Sequence, residues 1–316
     1  MPYEIKISPE YDGVKPKNFL KKKLDLQYHE LLKHLKNKRI TLNKKKIKED
    51  TILRKGDILK IWLDEIKLRE ISEAKHTKMQ NMNIPVIFEN ENFIVLNKPA
   101  DIIVQGAQDN QTSISLHLAY IQNKNKDYED NFEYHHAHRI DKDTSGILVV
   151  AKQRNSLRIL NKRFSDKNVI KKYLCLCLGK FKDKSGKIDI ILKRNPQGIR
   201  EKVSVGIETD DEARKTLSYY NVKEEFEHFN QTFSLVEVEI KTGYTHQIRV
   251  HMKYLGHPII GDKMYGNSII NEEFTNILNR HFLHAKSIEF EYKEKQFKFE
   301  AELTKDLKNT LEFLRN

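Results

Sequence analysis

The stretch "EYHHAHRIDKDTSGILVVAK", residues 133–152, sets three histidines, an arginine and two aspartates ahead of a smooth apolar run. Such a cluster can hold a metal, ionise a nucleophile or grip a phosphate. A metal reading pairs His135, His138 and Asp141, which a helix would bring onto one face. Gly146 and the β-branched residues after it read instead as a loop entering a strand. No CxxC, HExxH or second carboxylate–histidine cluster offers further ligands, so no metal site is expected. The chain also lacks a GxxxxGKS/T or GxGxxG loop, and no cofactor is expected. A cofactor-free enzyme or a binder remains. Asp141 is then the candidate reactive carboxylate, set before the tight turn Thr144-Ser145-Gly146 at the mouth of a sheet. There it needs a cation partner to stay ionised. Taken alone, it reads as a turn former.

A second stretch shifts that balance: "KTGYTHQIRVHMKYLGHPIIGDKMYG", residues 241–266. Read as a strand, it points Gln247, Arg249 and His251 one way and His246, Ile248 and Val250 the other. Three hydrogen-bonding side chains on one strand face make a poor core and a good site floor. Arg249 is the natural counter-ion for a buried carboxylate. A polar solvent face is the alternative. Gly256, Pro258 and Gly261 shape the loop that follows.

The elements that must position these residues fall into two blocks. Residues 1–60 hold 17 Lys+Arg against 8 Asp+Glu, an excess of +9 within a net charge of +12 for all 316 residues. A compact basic block points to a polyanion, most simply nucleic acid. Within it "FLKKKLDLQYHELLKHLKN" has helical spacing. "RITLNKKKIKEDTILRKGDILKIWL" reads as short strands with turns at Asn43-Lys44 and Lys55-Gly56-Asp57. Residues 65–83 are polar without a period and read as a linker. From residue 84 to 316 short β runs dominate, with helices at "SISLHLAYIQ", "RNSLRILNKRFS" and "TKDLKNTLEFLR". The expected class is α+β, mainly antiparallel, with a small N-terminal α/β module. Cys175 and Cys177 share one strand face and read as small apolar residues in a reducing cytosol. No run of 18 apolar residues and no apolar N-terminal core occurs, so a cytoplasmic location is expected. No heptad seam is evident, and monomer is the default.

Side by side, the two stretches resemble the RluA family of pseudouridine synthases. "HRIDKDTSG" is similar to that family's HRLDxxTSG, and "TGYTHQIRVH…LGHPIIGD…YG" to its TGRTHQIRVH…GHPIxGD…YG. "VIFENENFIVLNKPADIIVQG", "KKYLCLCLG" and "RHFLHAKSIEF" resemble further family elements, so the likeness runs from Ile84 to Glu302. Residues 1–64 resemble an S4 RNA-binding domain, and the subgroup most resembled acts on large-subunit rRNA. Lys15-Pro16-Lys17, Asp101, Gln105 and Tyr244 depart from the family's usual residues.

The resemblance implies isomerisation of uridine to pseudouridine in RNA, without a cofactor. It implies Asp141 as nucleophile at C1′ or base at C2′, and Arg249 as the salt-bridge partner that orients it. Tyr173 is implied to stack on the target base and to help remove its C5 proton. Arg139 is implied to fill the space the flipped base vacates; His138 and Gln247 are further implied RNA-side residues that shape loop and wall. Lys15, Lys38, Arg39, Lys44 and Lys45 are expected to meet phosphates. A non-catalytic ribosome-assembly factor, or the same chemistry on tRNA, are the alternatives.

Overall fold

The computed structural model describes residues 3–24, 33–47, 51–62, 82–104, 113–125, 132–195, 202–210 and 213–316. Most of the expected linker, Gln105, and the middle of the first helical stretch lie outside these. The chain forms two compact units, Met1–Met79 and Gln80–Asn316.

In the first unit, β1 (Tyr3–Lys6), β2 (Ile40–Leu42), β3 (Lys45–Lys46) and β4 (Ile58–Ile61) make an antiparallel sheet in the order β1-β4-β2-β3. The β2–β3 hairpin turns at Asn43 and Lys44, both at positive φ, as a tight primed turn requires. Helix α1 (Pro16–Leu24) starts on proline, whose missing N–H is no loss in a first turn. Phe19 and Leu20 bury against Ile40, Leu53, Leu59 and Ile61. The charged side chains stay outside that core: Lys15, Lys38, Arg39, Lys44 and Lys45 are all exposed.

The second unit is built on a long sheet. Its strands are β5 (Val86–Glu89), β6 (Phe93–Lys98), β7 (His135–His136), β8 (Ser145–Ala151), β9 (Val169–Leu178), β10 (Ser185–Arg194) and β11 (Val203–Val205). They continue through β12 (Arg214–His228), β13 (Gln231–Ile240), β14 (Leu283–Tyr292) and β15 (Lys295–Glu300). The order is β11-β10-β12-β13-β9-β14-β8-β6-β5, with β7 on β8 and β15 on β14. Among the named strands of this unit, β14 and β8 pair parallel and the remaining pairings are antiparallel. Helices α2 (Ile114–Asn125), α3 (Arg154–Ser165), α4 (Gln247–Tyr254), α5 (Ser268–Glu273) and α6 (Lys305–Arg315) join or cover the sheet. The mixed α and β architecture with a mainly antiparallel sheet is the class expected. Strand β8, buried along its whole length, packs Leu148 and Val150 into one apolar cluster and Ile147 and Val149 into another. That alternation puts a core on each face of the sheet.

One expected element is corrected. "HQIRVHM" is not a strand but the start of α4. His246 takes a left-handed conformation at φ +55 just ahead of it, and Gly256 at φ +82 follows it. Over six residues the polar–apolar alternation satisfied a strand period. The same residues also put Met252 four after Ile248, as on one helix face, and those two lie in the main core while Val250 packs in a separate cluster. The supposed one-sided polar face therefore does not exist. Cys175 and Cys177 do share a face: both are buried and free, with sulfurs 3.7 Å apart.

Candidate active site

Asp141 sits on the loop between β7 and β8, and three sets of contacts hold that loop. Its backbone C=O accepts from Thr144 N–H, closing the turn. The Thr144 hydroxyl meets His281 Nε2 at 2.9 Å, and Ser145 meets His284 Nδ1 at 2.9 Å. Arg280 donates to the Asp143 carbonyl and to Ser145 Oγ, and pairs with Asp306 on α6. Gly146 then enters β8 at φ +110 with the backbone of Ala285 against it. A Cβ there would lie 2.3 Å from the Ala285 oxygen, so only glycine fits.

A further hold is Lys98, fully buried at the end of β6. Its Nζ donates to the carbonyls of Pro99 (2.7 Å), Ile102 (2.9 Å) and Lys142 (3.0 Å), tying the loop after β6 to the residue next to Asp141. Burial, and then the charge of Arg280, bring its pKa down to about 7. Sequence reading gave Lys98 no role. The available signal was a lysine ending the apolar run "FIVLN" immediately before proline.

Arg249 projects from α4 with its Nη1 3.5 Å from Asp141 Oδ2. That contact was expected. Its tighter partner, Asp262, was not. Arg249 Nε and Nη2 donate to the two Asp262 oxygens at 2.6 and 2.7 Å, a bidentate fork. Asp262 also accepts the N–H groups of Met264 and Tyr265. Burial opposes its charge, but the guanidinium bonds outweigh that and hold the carboxyl below its usual range. Arg249 also stacks over the Tyr265 ring, 4.9 Å from its centroid. Asp262 was visible only as the end of "HPIIGD", thirteen residues after its partner.

Asp141 opens into a cleft of about 480 Å³ lined by Arg139, Tyr173, Arg194, Lys202, His246 and Arg249, among others. A neighbouring cleft of about 630 Å³ is lined by His135, His136, Lys167, Lys171 and Lys241. Arg139 and Tyr173 line both, and Arg139 is exposed. Tyr173, on β9, pairs with Val238 and Ala285 and is 7% exposed. Burial, and then the charge of Asp141, push its phenol upward. Cations line these clefts, with Asp141 as the carboxylate.

Two of the expected RNA-side residues stand in the cleft walls, His138 in the larger cleft and Gln247 in that of Asp141. His138 stacks on Phe164, and its Nε2 accepts from Val149 N–H, so the ring props the loop from beneath. Gln247 is 3% exposed and fully engaged. Its carbonyl accepts from Thr242 Oγ1 and Tyr244 N–H, and its amide donates to Leu217 and Ser218. It pins the 242–244 turn against β12 and shapes the wall. The histidines of "HHAH" do not converge with Asp141: His135 stacks on His136, and His138 faces Phe164.

The profile of the family described as RNA pseudouridylate synthase matches residues 92–254, which carry Lys98, Asp141, Tyr173 and Arg249. A ribosomal large subunit pseudouridine synthase C of Pasteurella multocida is 31% identical, over 98% of this chain and 93% of that protein. The chain belongs to the RNA pseudouridine synthase family. An uncharacterized RNA pseudouridine synthase of Bacillus subtilis is 32% identical over 90% of this chain and 88% of its own length. Among solved structures, human RNA pseudouridylate synthase domain containing 4 shares the fold at a TM-score of 0.61 and 20% identity. It covers 77% of this chain and 97% of its own. The protein is thus an isomerase that turns uridine in RNA into pseudouridine.

Proposed function

We propose that the protein isomerises uridines of large-subunit ribosomal RNA, with Asp141 as the reactive carboxylate, acting as a cytoplasmic monomer. The observation that carries the reading is the ion pair of Asp141 with Arg249 at the mouth of an open, cation-lined cleft. The names of its large-subunit relatives support the choice of RNA. The exposed Lys15, Lys38, Arg39, Lys44 and Lys45 of the S4-like first unit would bind phosphates and position the RNA without reading sequence.

The reaction breaks N1–C1′, turns the freed uracil and joins C5 to C1′, and it balances because C5 gives up its proton while N1 takes one up. Asp141 serves either by attacking C1′ or by taking the C2′ proton, and Arg249 stabilises its charge in both cases. The uridine must first leave its stack. Arg139, exposed at the junction of the two clefts, can fill the gap with a planar cation that stacks and donates hydrogen bonds. Tyr173 walls the base. With its pKa raised it keeps its proton in the free enzyme, so it can act as base toward C5 only after giving that proton away.

Tritium release from large-subunit rRNA labelled with [5-³H]uridine, in chelator, tests this against Asp141→Asn. Release that disappears in the variant supports both the substrate and the carboxylate. No release from either protein, with RNA binding intact, would favour a binding factor. Release from tRNA alone would move the same chemistry to that substrate.

A further inference from the structure

His246 has no part in the reading above, yet it stands against Asp141. Its Nε2 lies 3.9 Å from Asp141 Oδ2, the same oxygen that Arg249 approaches. Among the described residues, no hydrogen bond or ion pair reaches Oδ1. The ring is held at its other end as well. Its Nδ1 lies 2.9 Å from the buried Tyr265 hydroxyl, and that hydroxyl accepts the N–H of Val203 on β11. The backbone at His246 is left-handed, a conformation that residues with side chains rarely adopt. The local chain is therefore held to this geometry by its surroundings.

The proton on the ring can be placed by elimination. Burial lowers the pKa of His246 against the pull of the Asp141 charge, which favours the uncharged ring. A proton on Nδ1 would leave the Nε2 lone pair facing a carboxylate, two acceptors in opposition. A proton on Nε2 faces Asp141 with a donor and leaves Nδ1 to accept from the Tyr265 hydroxyl. We propose that His246 is a positioning residue: a neutral imidazole, locked by Tyr265 as the Nε2–H form, that holds Oδ2 of Asp141 and leaves Oδ1 to meet the target nucleotide. The proposal rests on Asp141 being the reactive carboxylate. At 3.9 Å the contact is longer than a hydrogen bond; such contacts are often long in a free enzyme and tighten on substrate. As RNA displaces water from the cleft, a fixed N–H already aimed at the charge replaces solvent without reorganising.

The test joins a spectroscopic and a kinetic measurement. In ¹⁵N-histidine-labelled protein at mildly alkaline pH, the ring signals lost in His246→Gln identify this residue, and they should show the proton on Nε2. In tritium release under the conditions above, His246→Leu should lower kcat about ten- to a hundred-fold, the scale of one hydrogen bond to a charged group. KM for RNA should stay within about twofold, since the interaction belongs to the reacting complex. His246→Gln, whose amide can place an N–H near the same spot, should regain most of the rate, and Tyr265→Phe should fall between. A proton on Nδ1, wild-type kcat in the leucine variant, or equal losses in the leucine and glutamine variants would each overturn the proposal. The proton assignment is made on the wild-type protein and decides the matter even if the leucine variant fails to fold. Asp141→Asn run alongside separates the two readings. Full activity there removes the carboxylate assignment, whereas an inactive Asp141→Asn with an unaffected His246→Leu removes the His246 role alone.

Discussion

Arg249 carries two charges' worth of partners, and replacing it separates a structural role from an electrostatic one. Arg249→Met keeps the aliphatic stem but removes the guanidinium. Asp262, 1% exposed, then keeps two backbone N–H bonds and loses its bidentate partner. Breaking a buried pair from one side costs about 3–5 kcal/mol, because the remaining charge is left uncompensated. At the site, a full charge 3.5 Å from Asp141 with an effective dielectric near 20 is worth roughly 5 kcal/mol of interaction before desolvation is set against it. Since only the part that differs between ground and transition state affects rate, a fall in kcat of about a hundred- to a thousand-fold is expected.

The second substitution makes the argument refutable. In an Arg249→Met, Asp262→Asn double variant the neutral amide no longer buries a charge, and its carbonyl can still accept from Met264 and Tyr265. Urea unfolding should show the double variant regaining about 1–2 kcal/mol over Arg249→Met, as expected when an unpaired buried charge is removed. Tritium release should stay as low as in the single variant, because Asp141 still lacks its cation. If Arg249→Met unfolds within about 1 kcal/mol of wild type, the buried-charge reasoning fails. If the double variant recovers activity along with stability, Arg249 acts only through the fold and its contact with Asp141 is incidental.

Two further outcomes follow from groups buried around the same loop. Lys98→Met takes the donor from three carbonyls, one buried and two part-buried, and should cost about 2–4 kcal/mol in urea unfolding while lowering kcat more than it raises KM; unchanged kcat would show that the loop needs no such tie. His136, His251 and His284 are held neutral, each brought from 6.5 to about 4, primarily by burial. Between those values the unfolded chain binds more protons than the folded one, so stability falls as pH falls through that window. At pH 5 the loss is roughly 2 kcal/mol for each, which together rivals a typical total stability of about 5–15 kcal/mol. Urea midpoints that are equal at pH 7 and pH 5 would contradict this.

Why some of this site was legible and some was not comes down to range. Asp141, Gly146 and the turn between them lie within six residues, and a turn feeding a β-branched strand can be read from local chemistry alone. Tyr173 lies on β9, whose alternation is just as local. The order β9-β14-β8 that brings Tyr173 beside Asp141 is not local, because it depends on pairing with residues more than a hundred positions away. Asp262 and Lys98 were overlooked for the same reason: their importance is burial beside a specific partner, which no period or spacing records. The α4 error has another cause. A six-residue polar–apolar alternation is compatible with both periods, and tertiary packing chose the helix. That choice has a chemical consequence. A strand would have placed Gln247, Arg249 and His251 together as one polar floor. The helix instead sends Gln247 and His251 into β12 contacts, at Ser218 and Thr216, and leaves Arg249 to reach Asp141 and Asp262. It also puts His246 at the helix start, against the carboxylate, where a strand would have pointed it to the opposite face.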